Sequence, residues 1–151
     1  MENKKKIIIT SGYFNPLHIG HLEYIKKSKM LGDYLIVIVN NDTQALLKKE
    51  FTFQLENHRI DIIKALKYPD EVVLSIDNDR SVCKTIKMIY DIYKEKGYEF
   101  IFAKGGDQTK EIIPEKEICD QLGIKIVDKV VGQLNSSTNI LENYRKYLES
   151  K

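Results

Sequence analysis

Two histidines, His18 and His21, stand three residues apart where a run of β-branched residues gives way to a helical pattern, within Gly12-Tyr13-Phe14-Asn15-Pro16-Leu17-His18-Ile19-Gly20-His21. That spacing predicts both rings on one face of a first helical turn, among free backbone N–H groups at the positive end of the helix dipole. Gly20 between them has no Cβ, so a flat base or a phosphate chain can approach the backbone closely. A helix start of this kind suits polyphosphate. Its positive end disfavours imidazolium, which predicts neutral rings that donate hydrogen bonds at physiological pH. A His-x-x-His pair can also be half of a metal site, but zinc takes three or four protein ligands. The one other histidine is His58, and neither Cys83 nor Cys119 is near in sequence. No protein metal ligand is therefore expected.

The elements around the pair follow from hydrophobic periodicity and breakers. Lys6 to Thr10 reads as a buried strand, and His18 to about Leu31 as a helix ended by Gly32-Asp33. Tyr34 to Asn40 is the clearest strand, followed by a short helical stretch through Leu47. Phe51 to Asn57 reads as a polar-aromatic loop, Arg59 to Leu66 as a helix, and Glu71 to Ser75 as a strand. Ser81 is the expected N-cap of a helix reaching Lys96, with Gly97 as its stop. Phe100 to Ala103 is a strand entering Lys104-Gly105-Gly106-Asp107. A helix between Pro114 and Gly123, a strand from Lys125 to Val131 and a terminal helix after Asn135–Thr138 complete the chain. The strands are continuous apolar runs that alternate with helices, which predicts an α/β fold: a five-stranded parallel sheet covered on both faces by helices, in a Rossmann-like three-layer sandwich. Ligands in such sheets gather at the carboxyl ends of the strands. The loops at Ser11–Leu17, Asn40–Asp42, Asp77–Arg80, Lys104–Asp107 and Gly132–Thr138 all fall there.

Composition narrows the class. At 151 residues, 42% hydrophobic and 30% charged, the chain reads as one globular domain over 1–151. A net charge of +2 gives no general case for nucleic-acid binding. No stretch has the length of a membrane span. Two isolated cysteines without CxxC spacing, and the lack of a secretory h-region, predict a reduced, cytoplasmic protein.

The glycine-to-histidine segment resembles the GxFDxxHxGH signature of the cytidylyltransferase-like nucleotidyltransferases. That group includes glycerol-3-phosphate cytidylyltransferase, the adenylyltransferase domain of ADP-heptose synthase and archaeal FAD synthetase. Lys104-Gly105-Gly106-Asp107 is similar to the KGGD loop of the heptose enzymes, and Ser136-Ser137-Thr138-Asn139-Ile140 resembles their STTNI segment. Two positions depart from the pattern. Asn15 stands where Asp is usual, and Val131-Gly132-Gln133-Leu134 lacks the arginine that precedes the serine-threonine segment in the glycerol-phosphate branch.

The resemblance implies transfer of a nucleoside monophosphate from ATP or CTP to a phosphorylated sugar or polyol, with release of pyrophosphate. A FAD synthetase-like or mononucleotide adenylyltransferase is the alternative, as is a non-catalytic nucleotide sensor of the same fold. Class I aminoacyl-tRNA synthetases share the HIGH spelling, but this chain has no KMSKS-like loop. In the implied reaction His18 and His21 donate to the phosphates, and the backbone N–H groups around Tyr13 and Phe14 support the α-phosphate. Ser136, Ser137 and Thr138 form a second cradle for the β and γ groups. Lys48, with Lys49 behind it, neutralises triphosphate or acceptor, and Arg59 is the candidate for the acceptor's phosphate. Gly105 and Gly106 let the nucleotide lie on the backbone while Asp107 accepts from a ribose hydroxyl. Mg²⁺ is expected to bridge phosphate oxygens and water. The alternating Phe51, Phe53 and Leu55, together with family habit, predict a homodimer.

Overall fold

The run Ile7-Ile8-Ile9 is fully buried although its side chains alternate between faces, because both faces of the sheet it enters are covered. In the computed structural model, which describes residues 4–49, 51–105, 113–128, 130 and 137–150, that run forms the central strand. Five strands, β1 (Lys6–Gly12), β2 (Tyr34–Val39), β3 (Glu71–Leu74), β4 (Glu99–Ala103) and β5 (Lys125–Val127), pair in parallel in the order β3-β2-β1-β4-β5. Helices α1 (Ile19–Lys29), α2 (Asp42–Lys49), α3 (Glu56–Lys64), α4 (Cys83–Tyr93), α5 (Lys116–Leu122) and α6 (Ser137–Glu149) connect or follow them.

The two faces have separate cores. Ile7, Ile9, Ile36, Ile38, Phe100 and Phe102 pack with Val82, Ile86 and Ile89 at α4 and with Cys119 of α5. Ile8, Leu35, Val37, Val39, Ile101 and Ala103 pack with Phe14, with Ile25 of α1 and with Ile63 of α3. The expected α/β architecture is thus present: a parallel sheet between two helical layers. The chain leaves β1 towards β2 and later crosses to the other side of β1 at β4. The carboxyl ends of β1 and β4 therefore flank the point where strand order reverses, where such sheets open a crevice.

Local departures from the expected elements have specific causes. Helix α1 begins at Ile19 because His18 itself is the N-cap, and α3 begins at Glu56, inside the stretch expected to be a loop. Strand β5 is shorter than the expected Lys125–Val131 and ends at Val127; Val130 N–H then donates to the Lys104 carbonyl. The cap of α4 is not Ser81. The buried Asp77 carboxylate takes the N–H groups of Lys84 at 2.8 Å and Thr85 at 3.0 Å, and the Thr85 hydroxyl at 2.6 Å. Gly97 and Gly123 end their helices as expected, with φ of 74° and 72° in the left-handed region that favours glycine.

Candidate active site

The β1–α1 turn is built around one aromatic side chain. Phe14 adopts φ 51°, a conformation uncommon outside glycine, and its ring is buried against Gly12. A Cβ on Gly12 would stand 2.7 Å from that ring, so the strand end must be glycine for the turn to close. The same ring meets His21 edge-on, with centroids 5.1 Å apart and planes at 77°. Asn15, joined to Pro16 by a cis peptide bond, is buried and accepts from the N–H groups of Phe53 and Gln54, each at 3.0 Å. An aspartate at this position would accept the same two bonds, so the departure from the family spelling keeps the loop anchor.

His18 and His21 form a reciprocal cap. The Nδ1 of His18 accepts from Gly20 N–H at 3.0 Å, and the Nδ1 of His21 accepts from His18 N–H at 3.2 Å. The rings stack with centroids 3.8 Å apart and planes at 24°. A nitrogen that accepts a hydrogen bond carries no hydrogen, so each ring is a neutral tautomer with its proton on Nε2. The helix start therefore offers two Nε2–H donors side by side. Gly20 supplies one of the capped N–H groups.

The other expected site residues fall into three groups. Lys48, exposed on α2, places its ammonium 4.4 Å from the centroid of the Tyr13 ring. Tyr13 is half-buried; burial lifts its hydroxyl pKa, Arg80 opposes the shift, and Glu115 and Asp79 add to it. Arg80 donates to the Leu47 carbonyl at 2.7 Å, which ties the loop after β3 to the end of α2. Gln44 reinforces the tie by donating to the carbonyls of Asp79 and Ser81, both at 2.7 Å.

Arg59 is corrected by the structure. Its guanidinium has no exposed surface and donates to the carbonyls of Gln54 (2.9 Å), Tyr13 (2.8 Å) and Asn40 (2.6 Å) and to the Asp42 carboxylate (2.8 Å). It holds the loops after β1 and β2 and the start of α3 together, and is not open to an acceptor phosphate. No spacing rule marks it, because its acceptors lie up to 46 residues away.

Gly105 lies against Tyr24, where a Cβ would come within 3.0 Å of the ring. Packing of α1 on the β4 end is thus itself a reason for glycine there. The buried Tyr24 hydroxyl donates to the Ala103 carbonyl and receives Ser11 N–H at 3.4 Å, bridging β1 and β4 where they part. Burial raises the pKa of this hydroxyl well above the usual tyrosine value. Gly106, Asp107 and Ser136 lie outside the described residues. Ser137 and Thr138 form the first backbone turn of α6.

Three polar residues that sequence reasoning did not select also border this rim: Arg80, Glu115 and Lys104. Glu115 is buried and accepts from Val82 N–H at 3.0 Å. Lys104 was legible only as one letter of a loop motif; its ammonium lies 6.0 Å from the centroid of the Phe102 ring, and the buried Glu115 is the charge that bears on it.

Comparison with known proteins agrees with this geometry. A family profile described as Cytidylyltransferase-like matches residues 9–143. A FAD synthase of Thermoplasma volcanium is 32% identical over 137 residues, covering 88% of this chain and 89% of that protein. The bifunctional protein HldE of Geotalea uraniireducens is 32% identical over 145 residues; these cover 93% of this chain but span 27% of HldE. A crystal structure of the lipopolysaccharide core biosynthesis protein from Thermoplasma volcanium superposes with a TM-score of 0.65 at 28% identity, covering 83% of this chain and 96% of that one. With the paired-histidine helix start at the carboxyl end of a central parallel strand, these matches make the chain a member of the cytidylyltransferase-like family of nucleotidyltransferases.

Proposed function

We propose that this protein transfers a nucleoside monophosphate, AMP from ATP in the first instance, to a small phosphorylated acceptor and releases pyrophosphate. The observation that carries the reading is the reciprocal histidine cap, which fixes both rings as neutral Nε2–H donors at a helix N-terminus. Nucleotidyl transfer asks the protein mainly for positioning and for stabilisation of charge on the transferred group and the leaving pyrophosphate. His18 and His21 donate to triphosphate oxygens, and these bonds strengthen as negative charge moves onto the leaving group. The backbone of Tyr13 and Phe14 borders the α-phosphate. Gly20, Gly105 and Gly106 are the candidates to border the nucleotide, and Asp107 is the candidate for a ribose hydroxyl. Ser136, Ser137 and Thr138 are the candidate contacts of the β and γ phosphates, and Lys48 adds positive charge.

The triphosphate enters as its Mg²⁺ complex. Asp42, Asp77, Asp79 and Glu115 already accept hydrogen bonds from the protein, and the histidine Nδ1 atoms are occupied by backbone N–H. That donor set suits an ion held by phosphate oxygens and water.

Two acceptor classes fit. The full-length match to a FAD synthase favours FMN, since FAD is FMN carrying an AMP group. The match to HldE and the KGGD and STTNI spellings favour a sugar phosphate. Pyrophosphate release with ATP and CTP, each tested against FMN, hexose 1-phosphates and glycerol 3-phosphate, separates these readings. No release from any pair refutes catalysis and leaves a nucleotide-binding role. The nucleotide supply that such a reaction needs argues for the cytoplasm.

A homodimer belongs to the same proposal. Phe51 (56% exposed), Phe53 and Leu55 stand out from a loop whose backbone is pinned by Asn15, with the Phe51 and Phe53 rings edge to face, and Leu46 and Leu47 of α2 are exposed as well. A self-complementary contact would cover this apolar patch twice. Sedimentation equilibrium at micromolar concentration checks it, and a monomer mass alone refutes it.

A further inference from the structure

Glu115 stands at the start of α5, where its carbonyl accepts Cys119 N–H at 3.0 Å, and it is only 3% exposed. Its side chain crosses to the neighbouring helix, where Oε2 accepts Val82 N–H at 3.0 Å. The N-terminus of α4 asks no more of it. Lys84 and Thr85 N–H go to the two oxygens of Asp77, and Cys83 N–H goes to the Ser81 hydroxyl. A carboxylate offers about four acceptor positions. Asp77 fills three of its own, taking the Thr85 hydroxyl as well. For Glu115 no donor besides Val82 is bound among the described residues, and no cation lies within ion-pair distance. Nor is its second oxygen sealed in the core. The buried side-chain atoms left without a partner among the described residues are Thr10 Oγ1, Ser28 Oγ, Thr52 Oγ1 and Gln54 Oε1. The Oε1 of Glu115 is not one of them, so it reaches open space.

The fold decides which space that is. The charge of Glu115 bears on Tyr13, which follows β1, and on Lys104, which follows β4. It also bears on Tyr24, whose hydroxyl bridges the two strands where they part. The carboxylate therefore borders the β1–β4 crevice from the layer of α4 and α5, while the histidines address it from the layer of α1. A carboxylate has no hydrogen to give and repels a phosphate, so it can take only a group that carries a hydrogen. A cationic ligand would enter against the Lys104 charge that already acts there. A neutral hydroxyl would not.

We propose that Glu115 is a specificity residue whose free oxygen accepts a hydrogen bond from a hydroxyl on the carbon skeleton of the acceptor, so that the acceptor carries a polyol or sugar beside its phosphate. This rests on the nucleotidyl-transfer reading. Glycerol, a hexose and the ribityl chain of FMN share that chemistry. The bond completes a buried carboxylate that the protein leaves with one donor, and an acceptor without the hydroxyl would leave it unsatisfied.

The test pairs each acceptor with an analogue that lacks the hydroxyls: glycerol 3-phosphate with n-propyl phosphate, a hexose 1-phosphate with cyclohexyl phosphate, and FMN with a flavin bearing a phosphopentyl chain in place of phosphoribityl. Each is titrated calorimetrically into the protein saturated with α,β-methylene ATP and Mg²⁺. The wild type is expected to prefer the hydroxylated member of at least one pair by roughly 10- to 100-fold, the worth of one charge-assisted bond, and the preferred pair identifies the source of the hydroxyl. Glu115→Gln keeps an oxygen for Val82 N–H, and thermal melting establishes that it is folded. It should cut that preference about tenfold, with Kd for the hydroxyl-free analogue and for the nucleotide within about twofold of wild type. Glu115→Met, if it melts as the wild type does, should abolish the preference. An equal loss of both members of the pair marks Glu115 as a helix cap only and overturns the proposal, as does an unchanged preference in folded Glu115→Gln or no preference in the wild type. If no nucleotide and acceptor together release pyrophosphate, the catalytic reading fails, while these titrations still decide whether Glu115 receives a hydroxyl.

Discussion

Replacing Arg59 by Met should cost the protein a large part of its stability, even though the side chain stands beside the crevice where a phosphate ligand would be expected. The guanidinium has no exposed surface and makes four hydrogen bonds, three to main-chain carbonyls and one to Asp42. Methionine fills a similar space but leaves those carbonyls without their donor. Asp42 remains 30% exposed and can be hydrated, so the loss comes mainly from the carbonyls. Each buried acceptor left unsatisfied costs about 1–3 kcal/mol, and breaking a buried pair from one side typically costs about 3–5 kcal/mol in all. At about 2 kcal/mol per molar of urea, the unfolding midpoint should fall by roughly 2 M. Arg59→Lys should fall nearly as far, because a single ammonium cannot reach acceptors that the planar fork spans. The assay is urea unfolding followed by circular dichroism. An Arg59→Met protein with a wild-type midpoint but a raised acceptor KM would refute this account and return Arg59 to substrate binding.

Removing His18 or His21 as His→Ala should lower kcat by at least about 10²-fold, as for loss of an oxyanion-type donor, while the lost cap costs about 1 kcal/mol; normal turnover in both variants would refute the role. Gly12→Ala drives a Cβ to 2.7 Å from the buried Phe14 ring, so overpacking of about 1–3 kcal/mol should lower Tm by about 5 °C, and turnover should fall as His21 loses its support. Unchanged melting and turnover in that variant would contradict the packing argument. Burial pushes the Cys119 thiol up to about 12, so at pH 8 only about one in 10⁴ molecules carries its thiolate, and iodoacetamide should label it only after unfolding, as mass spectrometry would read. Because the unfolded thiol ionises near its ordinary value and the folded one does not, the stability this group contributes is present at neutral pH and declines as pH rises above the ordinary thiol range. Urea midpoints compared between Cys119 and a Cys119→Ala background at pH 7 and pH 10 measure that decline.

What the sequence determined by itself is what depends on near neighbours. Ile7 to Ile9 and Leu35 to Val39 had to be strands of a sheet covered on both faces, because continuous β-branched runs leave no polar side to turn outward. Gly97 and Gly123 had to stop helices, since only a residue without a Cβ enters the left-handed region cheaply. The spacing of His18 and His21 already implied a shared helix start, because the three-residue interval is set by helical geometry. The tertiary structure alone decided how the polar side chains are used. Asp77 rather than Ser81 caps α4, Asn15 anchors the Phe53–Gln54 backbone, Tyr24 bridges β1 to β4, and Arg59 locks three loops instead of reaching for a ligand. Each of these bonds joins residues that are distant in sequence or satisfies a buried main-chain group exposed only once the layers close. A polar residue's type tells what it can bond to, but its partner is chosen by which unsatisfied backbone groups the packed fold brings within about 3 Å.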